Sequence, residues 1–379
     1  MLFFFAYGLY IFIGIMNISF FQIYTNNITK YINILCMLIL LYNELLNKKI
    51  CIKEIFLLLF VSLLAFPVTI HNNGTLFIMI LFIYCARSID FRKIAKFSLL
   101  ESILLLFLVI FSSKIGIITN YISTEGGRIR EYLGFRYALF SPMILFNITA
   151  LELYLHKDKF SPFRYIILFI LNYYVYIKTD SRLSFYLSIL LILFIAILTR
   201  FPNFFKKRNV LCKIMVFSFI LCSIFSLVTT INYDYSNPYM SKLNEILGRR
   251  LYLGHISLDM YPINLLGHDT KYIGNGLDMY GNKTSGTYFY VDCLYLNLLE
   301  KYGLIFTVIL LLLLTYSLSN TLKEKDYFLL VILTFFALHG IIDDLEIYIY
   351  YNTFWFIISK NFSKNLKSID YIERSKYEI

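Results

Sequence analysis

Apolar positions fall in runs along most of this chain, at lengths that suit membrane helices. The runs centre on 2–21, 31–46, 55–70, 74–86, 97–111, 137–155, 165–177, 183–198, 210–228, 304–318, 327–342 and 345–358. A backbone in lipid must satisfy its own hydrogen bonds, so each run is expected as an α-helix. Several runs are shorter than the roughly 20 residues that cross a hydrocarbon core, and must borrow flanking Tyr, Asn or Thr. One polar stretch, from about Thr230 to Gly303, interrupts the pattern. The pattern therefore predicts an all-α polytopic membrane helix bundle of about twelve transmembrane helices. Its parts are nine spans over 1–229, a long loop over 230–303, three spans over 304–359 and a tail over 360–379.

Charge sets the orientation. With the N-terminus inside, the inner segments hold 22 of the 35 Lys and Arg residues, in the shorter share of loop sequence. The excess alternates from the second span to the C-terminus, as topology in a bilayer requires, so one missed span would break it. Both termini are expected on the cytoplasmic side, with the long loop outside, between spans nine and ten. Composition agrees: 59% of residues are hydrophobic and 16% charged, far from the roughly one quarter charged of soluble chains. The net charge of +11 lies in short clusters between apolar runs, so it marks topology and argues against nucleic acid as a partner. The six cysteines lack CxxC spacing, which excludes a disulfide framework or zinc site as the organising device. No basic segment precedes Leu2, so the first run is expected to stay as a membrane helix. Twelve-span transporters commonly carry two equivalent halves, and no such repeat is visible here.

The long loop has its own order. Val291, Leu294, Tyr295, Leu298, Leu299 and Tyr302 fall on one face of a helix, predicting an amphipathic helix near 289–302 on or in the outer interface. Gly303 is placed to end it. Eleven of the 33 tyrosines lie in this loop, which suits sugar rings and an interfacial belt equally. Ionisable residues concentrate at the same level: Arg249, Arg250, His255, His268, Asp269 and Asp292 in the loop, and His339, Asp343, Asp344 and Glu346 at the outer end of the eleventh run.

Three segments carry a family resemblance. Leu247-Gly-Arg-Arg-Leu-Tyr252, then Ile273-Gly-Asn-Gly276, then Val291-Asp-Cys-Leu-Tyr-Leu-Asn-Leu-Leu-Glu-Lys-Tyr-Gly303, resemble the long outer loop of Wzy-type polysaccharide polymerases and O-antigen ligases. Thr179-Asp-Ser-Arg182 is similar to the family's Ser-Arg at an outer helix end. Asp292-Cys293 stands where many members have His-Asn, so a histidine role does not carry over to that site.

The resemblance implies a membrane glycosyltransferase in the bacterial cytoplasmic (inner) membrane, transferring a growing glycan from polyprenyl diphosphate onto an incoming lipid-linked oligosaccharide. A flippase and a chain-length regulator are the implied partners. No cofactor is expected, and no ligand spacing supports a metal. The chemistry assigns residue types. Planar guanidinium groups stabilise a departing diphosphate, which points to Arg128, Arg130, Arg182, Arg249 and Arg250, with Arg136 as a weaker candidate. The acceptor hydroxyl needs a base, for which Asp292, His268, Asp269 and His339 are the candidates, with His255 behind them. Each has a plain reading as a solvated loop residue. A ligase shares the donor chemistry, and a transporter of lipid-linked sugars is the alternative from another class.

Overall fold

The computed structural model describes residues 1–47, 59–63, 66, 74–124, 127–201, 203–205 and 208–362. Most of the expected third span at 55–70, and the tail beyond 362, lie outside the described residues. The chain is mostly helical, as expected. In order come α1 (Leu2–Ile18), α2 (Gln22–Asn47), α3 (Gly74–Cys85), α4 (Phe91–Lys114), α5 (Phe140–Leu155), α6 (Pro162–Thr179) and α7 (Arg182–Arg200). Then follow α8 (Asn209–Val216), α9 (Ser218–Ile231), α10 (Pro238–Ile246), α11 (Arg250–Met260), α12 (Leu294–Lys323) and α13 (Tyr327–His339). One antiparallel ribbon, β1 (Ile122–Ser123) with β2 (Arg130–Glu131), stands between α4 and α5.

Four described helices are long and apolar enough to cross a membrane: Gln22–Leu46, Phe91–Lys114, Arg182–Arg200 and Leu294–Lys323. The expected span at 210–228 is not one straight helix; α8 and α9 meet at a 66° bend, and count as a fifth only if taken as one broken span. Leu2–Ile18, Leu76–Ser88, Phe140–Leu155 and Tyr327–His339 are apolar but shorter. Large apolar side chains such as Leu104, Phe107, Ile170, Leu193 and Leu312 stand exposed on the outside of the bundle. So wide an apolar exterior has no favourable contact with water and suits lipid. Inside, α5 is buried on nearly every face, which makes it the central helix. Its Asn147 exchanges hydrogen bonds with Thr353, and Thr149 accepts one from Asn172.

The helix connections gather at two ends. At one end Lys157 reaches Asp326 at 2.6 Å, Arg164 reaches Glu152 at 3.1 Å and Lys360 reaches Glu324 at 3.6 Å. Asp326 also caps α13 by accepting from Leu329 N. The other end collects the segments 115–124, 127–139, 232–293 and 340–344 and the α6–α7 turn, and it carries the site described below.

Two sequence expectations need correcting. The helix expected near 289–302 begins at Leu294, continues through a kink at Gly303, and does not lie on an interface. Every residue from Leu294 to Glu300 is buried, including Asn297 and Glu300 on the polar side. Protein covers that side: Leu294 N donates to Gly340 O, Asn297 to Asp344, and Ser257 to Glu300. A strap at 264–268 crosses the kink, with Leu304 N donating to Asn264 O at 2.9 Å and Ile305 N to Leu265 O at 3.2 Å. A Cβ on Gly303 would sit 2.4 Å from Leu265 O, and its backbone (φ 81, ψ 173) is one that only glycine adopts freely.

The second correction concerns 345–358, expected as an α-helix. It forms 3₁₀ turns at Leu345–Ile347 and Thr353–Ile358 joined by irregular backbone. The chain still passes from the Asp344 end to the Lys360 end, because a 3₁₀ turn rises about 2.0 Å per residue against 1.5 Å in an α-helix. Such backbone is tolerated here because protein surrounds it: Tyr351 to Ser359 are all buried.

Candidate functional site: an arginine pocket beside an acidic, tyrosine-rich pocket

Three separate segments build the first pocket. At the end of α6 the chain turns through Asp180 in the left-handed region (φ 48). Asp180 meets Arg128 Nε at 3.3 Å and Arg182 Nε at 3.0 Å. The ribbon carrying Arg128 and Arg130 is fixed to the helix ends by Glu131, which takes Lys114, Asn120 (2.8 Å) and Lys178 (2.9 Å). Burial raises the Glu131 pKa, but these donors outweigh it and hold the carboxyl down at about 2. From the long segment, Arg250 donates Nη1 to Leu247 O at 2.8 Å and Nε to Asp292 O at 3.0 Å. Arg128, Arg130, Arg182 and Arg250 thus share the wall of a pocket of about 460 Å³ with Asp180, Ser184, Glu245 and Asp343.

Asp343 also lines a second pocket of about 220 Å³, with Asp292, Asp344, Tyr137, Tyr288, Tyr290 and the Gly274-Asn275-Gly276 turn. Asp292 lies 3.7 Å from Arg250 Nη2 and accepts from Tyr288 OH at 3.3 Å. Asp344 accepts from Tyr290 OH at 2.8 Å and Asn297 Nδ2 at 2.9 Å. Burial pushes the Asp292 carboxyl above the usual range, while Arg250 and Tyr288 pull it back. Burial likewise lifts Asp344, in the turn after α13, to about 6 against the pull of Lys301. The two pockets join guanidinium groups suited to an anion with carboxylates suited to proton transfer, beside tyrosine rings suited to a sugar face, of which Tyr288 is exposed.

The structure divides the residues singled out from sequence. Arg128, Arg130, Arg182, Arg250 and Asp292 come together, and Asp343 and Asp344 join them. Arg249 does not: it occupies the left-handed position before α11 (φ 68), is exposed, and lines neither pocket. Arg136 is a structural pin, donating to Asn17 O at 2.7 Å and Leu277 O at 2.6 Å. His268 serves the strap, with Nε2 at 2.6 Å from Pro262 O, and Asp269 is exposed beside it; neither lines a pocket. His255 contacts Thr230 O at 3.0 Å. His339 is fully buried, 3.2 Å from Ser184 and 2.9 Å from Glu346. Sequence reasoning missed that Asp180, Ser184, Tyr288 and Tyr290 line these pockets. The Thr179-Asp-Ser-Arg182 turn was the signal for Asp180, and Ser184 follows it by two residues; the tyrosines were indistinguishable from nine others in the loop.

Compared with protein families, curated proteins and solved structures, the chain matches none of them.

Proposed function

We propose that the chain is a membrane glycosyltransferase that moves a growing glycan from a polyprenyl diphosphate carrier to a sugar hydroxyl of a second lipid-linked unit. The reading places it in a bacterial cytoplasmic membrane with about twelve passes, the last of them by 3₁₀ and irregular backbone. Both termini are cytoplasmic, and the two pockets face outward. The observation that carries the proposal is the pocket with four arginines adjoining one with a buried carboxylate and tyrosine rings, Asp343 belonging to both. Four guanidinium groups face only three carboxyls in the first pocket, and burial beside Asp344 pushes the Asp343 carboxyl up, towards its neutral form. The pocket therefore favours an anion, as a diphosphate leaving group requires. Asp292, one pocket away and next to Arg250, is the proposed base for the acceptor hydroxyl.

The test is reconstitution. Purified protein in detergent, given only lipid-linked oligosaccharide units, is expected to lengthen them, with no membrane to cross and no second protein. Failure to lengthen them, together with movement of units across liposomes containing the protein, would overturn the proposal in favour of a carrier.

A further inference from the structure

The arginine pocket has a feature that glycan transfer does not use. Ser184 stands in its wall, in the first turn of α7, two residues after Arg182. Behind it His339 Nε2 lies 3.2 Å from the Ser184 hydroxyl. The other ring nitrogen, Nδ1, lies 2.9 Å from Glu346 Oε1, and Phe146 stacks on the ring at 4.7 Å. His339 and Glu346 are both at 0% exposure; their Nδ1–Oε1 approach lacks hydrogen-bond geometry, and Nδ1 and both Glu346 carboxyl oxygens are buried without a hydrogen-bond partner. A nucleophile and a base in hydrogen-bond contact, with an acid 2.9 Å from the base's other nitrogen, are thus brought together although 155 residues separate Ser184 from His339. Only the serine reaches the pocket.

We infer that Ser184, His339 and Glu346 form a nucleophilic triad that hydrolyses a lipid-borne diphosphate held by the surrounding arginines. The arginine wall selects a phosphorus electrophile over an acyl carbon, since phosphoryl transfer is governed by neutralising charge on the transferred group's oxygens. The three leading amides of α7, whose N-cap Ser181 makes no side-chain cap, add donors on the same side. In the first step Ser184 Oγ attacks the terminal phosphorus, its proton passing to His339 Nε2. The bond from phosphorus to the bridging oxygen breaks, and lipid monophosphate leaves with the proton from His339. Water then attacks the phosphoserine, giving its proton through His339, and inorganic phosphate departs with Ser184 restored. The net reaction is lipid diphosphate plus water to lipid monophosphate plus phosphate. That is the step by which a carrier released from glycan transfer would be returned to its monophosphate. The choice of substrate rests on the proposed function, whereas the triad stands on geometry alone.

The full-length protein in detergent is treated with a fluorophosphonate, a phosphorus electrophile for activated serines, and the modified residue is located by peptide mass spectrometry. Inorganic phosphate release from a short prenyl diphosphate is followed in parallel. Labelling at Ser184, with phosphate release reduced about 100-fold or more in Ser184→Ala and His339→Gln, is the expected result. For Glu346→Gln, as the positioning residue, the maximal labelling rate should fall while the half-saturating fluorophosphonate concentration stays. Ser184 left unmodified, or phosphate release unchanged in Ser184→Ala, would overturn the inference. Glycan lengthening without either signal would remove this inference alone; labelling and phosphate release without lengthening would remove the glycosyltransferase reading alone.

Discussion

Arg249 and Arg250 are adjacent in sequence and opposite in placement. The left-handed turn at Gly248 and Arg249 throws Arg249 outward, while Arg250 enters α11 and turns its guanidinium onto Leu247 O and Asp292 O. The consequence is a sharp contrast. Arg250→Lys and Arg182→Lys keep the charge but lose the planar fork, and each should lower the lengthening rate about 100-fold, ~2.7 kcal/mol of transition-state stabilisation. Arg249→Lys should stay within a few-fold of the parent in the same assay. Asp292 supports a pH prediction. A base must be unprotonated, so the rate should fall as pH drops through the Asp292 pKa, which burial sets above the ordinary Asp value of about 3.9. Tyr288 donates to this carboxylate and holds its pKa down. Tyr288→Phe should therefore move the acid limb of the pH–rate profile to higher pH, and Asp292→Asn should remove the activity that defines it. An acid limb that does not move would place the base elsewhere.

Elements show how far local pattern reaches. Runs such as 97–111, 183–198 and 304–318 became α4, α7 and α12 because an apolar stretch with self-satisfied backbone needs no partner to be a helix. The 345–358 run is also apolar, yet its backbone is 3₁₀ and irregular: Thr353 N donates to Asn147 Oδ1, Trp355 Nε1 donates to Glu346 O, and Asn352 caps the second turn by accepting from Phe354 N. No local pattern announces a partner such as Asn147, 206 residues away. The apolar stripe at 294–302 was legible too, but its covering was not, because the strap and the 340–344 turn that bury its polar side are distant in sequence. Gly303 is the element-scale test. Gly303→Ala keeps helix propensity, places a Cβ against Leu265 O, and demands a backbone that costs a non-glycine residue about 1–3 kcal/mol. The expected outcome is a lower unfolding temperature in detergent and faster proteolysis within 261–268. Gly276→Ala, whose Cβ meets nothing within 4 Å, should change neither.

At the scale of the whole molecule, the charge pattern and the fold make a joint claim. Short basic segments predict which ends of the helices share a side, and the structure ties those same segments together through Lys157 with Asp326 and Lys360 with Glu324. The arginine and tyrosine pockets lie at the opposite end, where the outer loops are expected. Basic segments between spans remain cytoplasmic, so the pockets should open to the outside. Single cysteines at Asn282 and at Lys323, both exposed, test this in a chain whose six native cysteines have been replaced. In intact cells an impermeant thiol reagent should modify the cysteine at Asn282 and spare the one at Lys323, which should react only after permeabilisation. Labelling of both in intact cells would mean that the two ends do not lie on opposite sides. The reverse pattern would put the pockets on the cytoplasmic face, where a glycan being built outside cannot reach them, and would end the proposed function while leaving the fold and the serine triad intact.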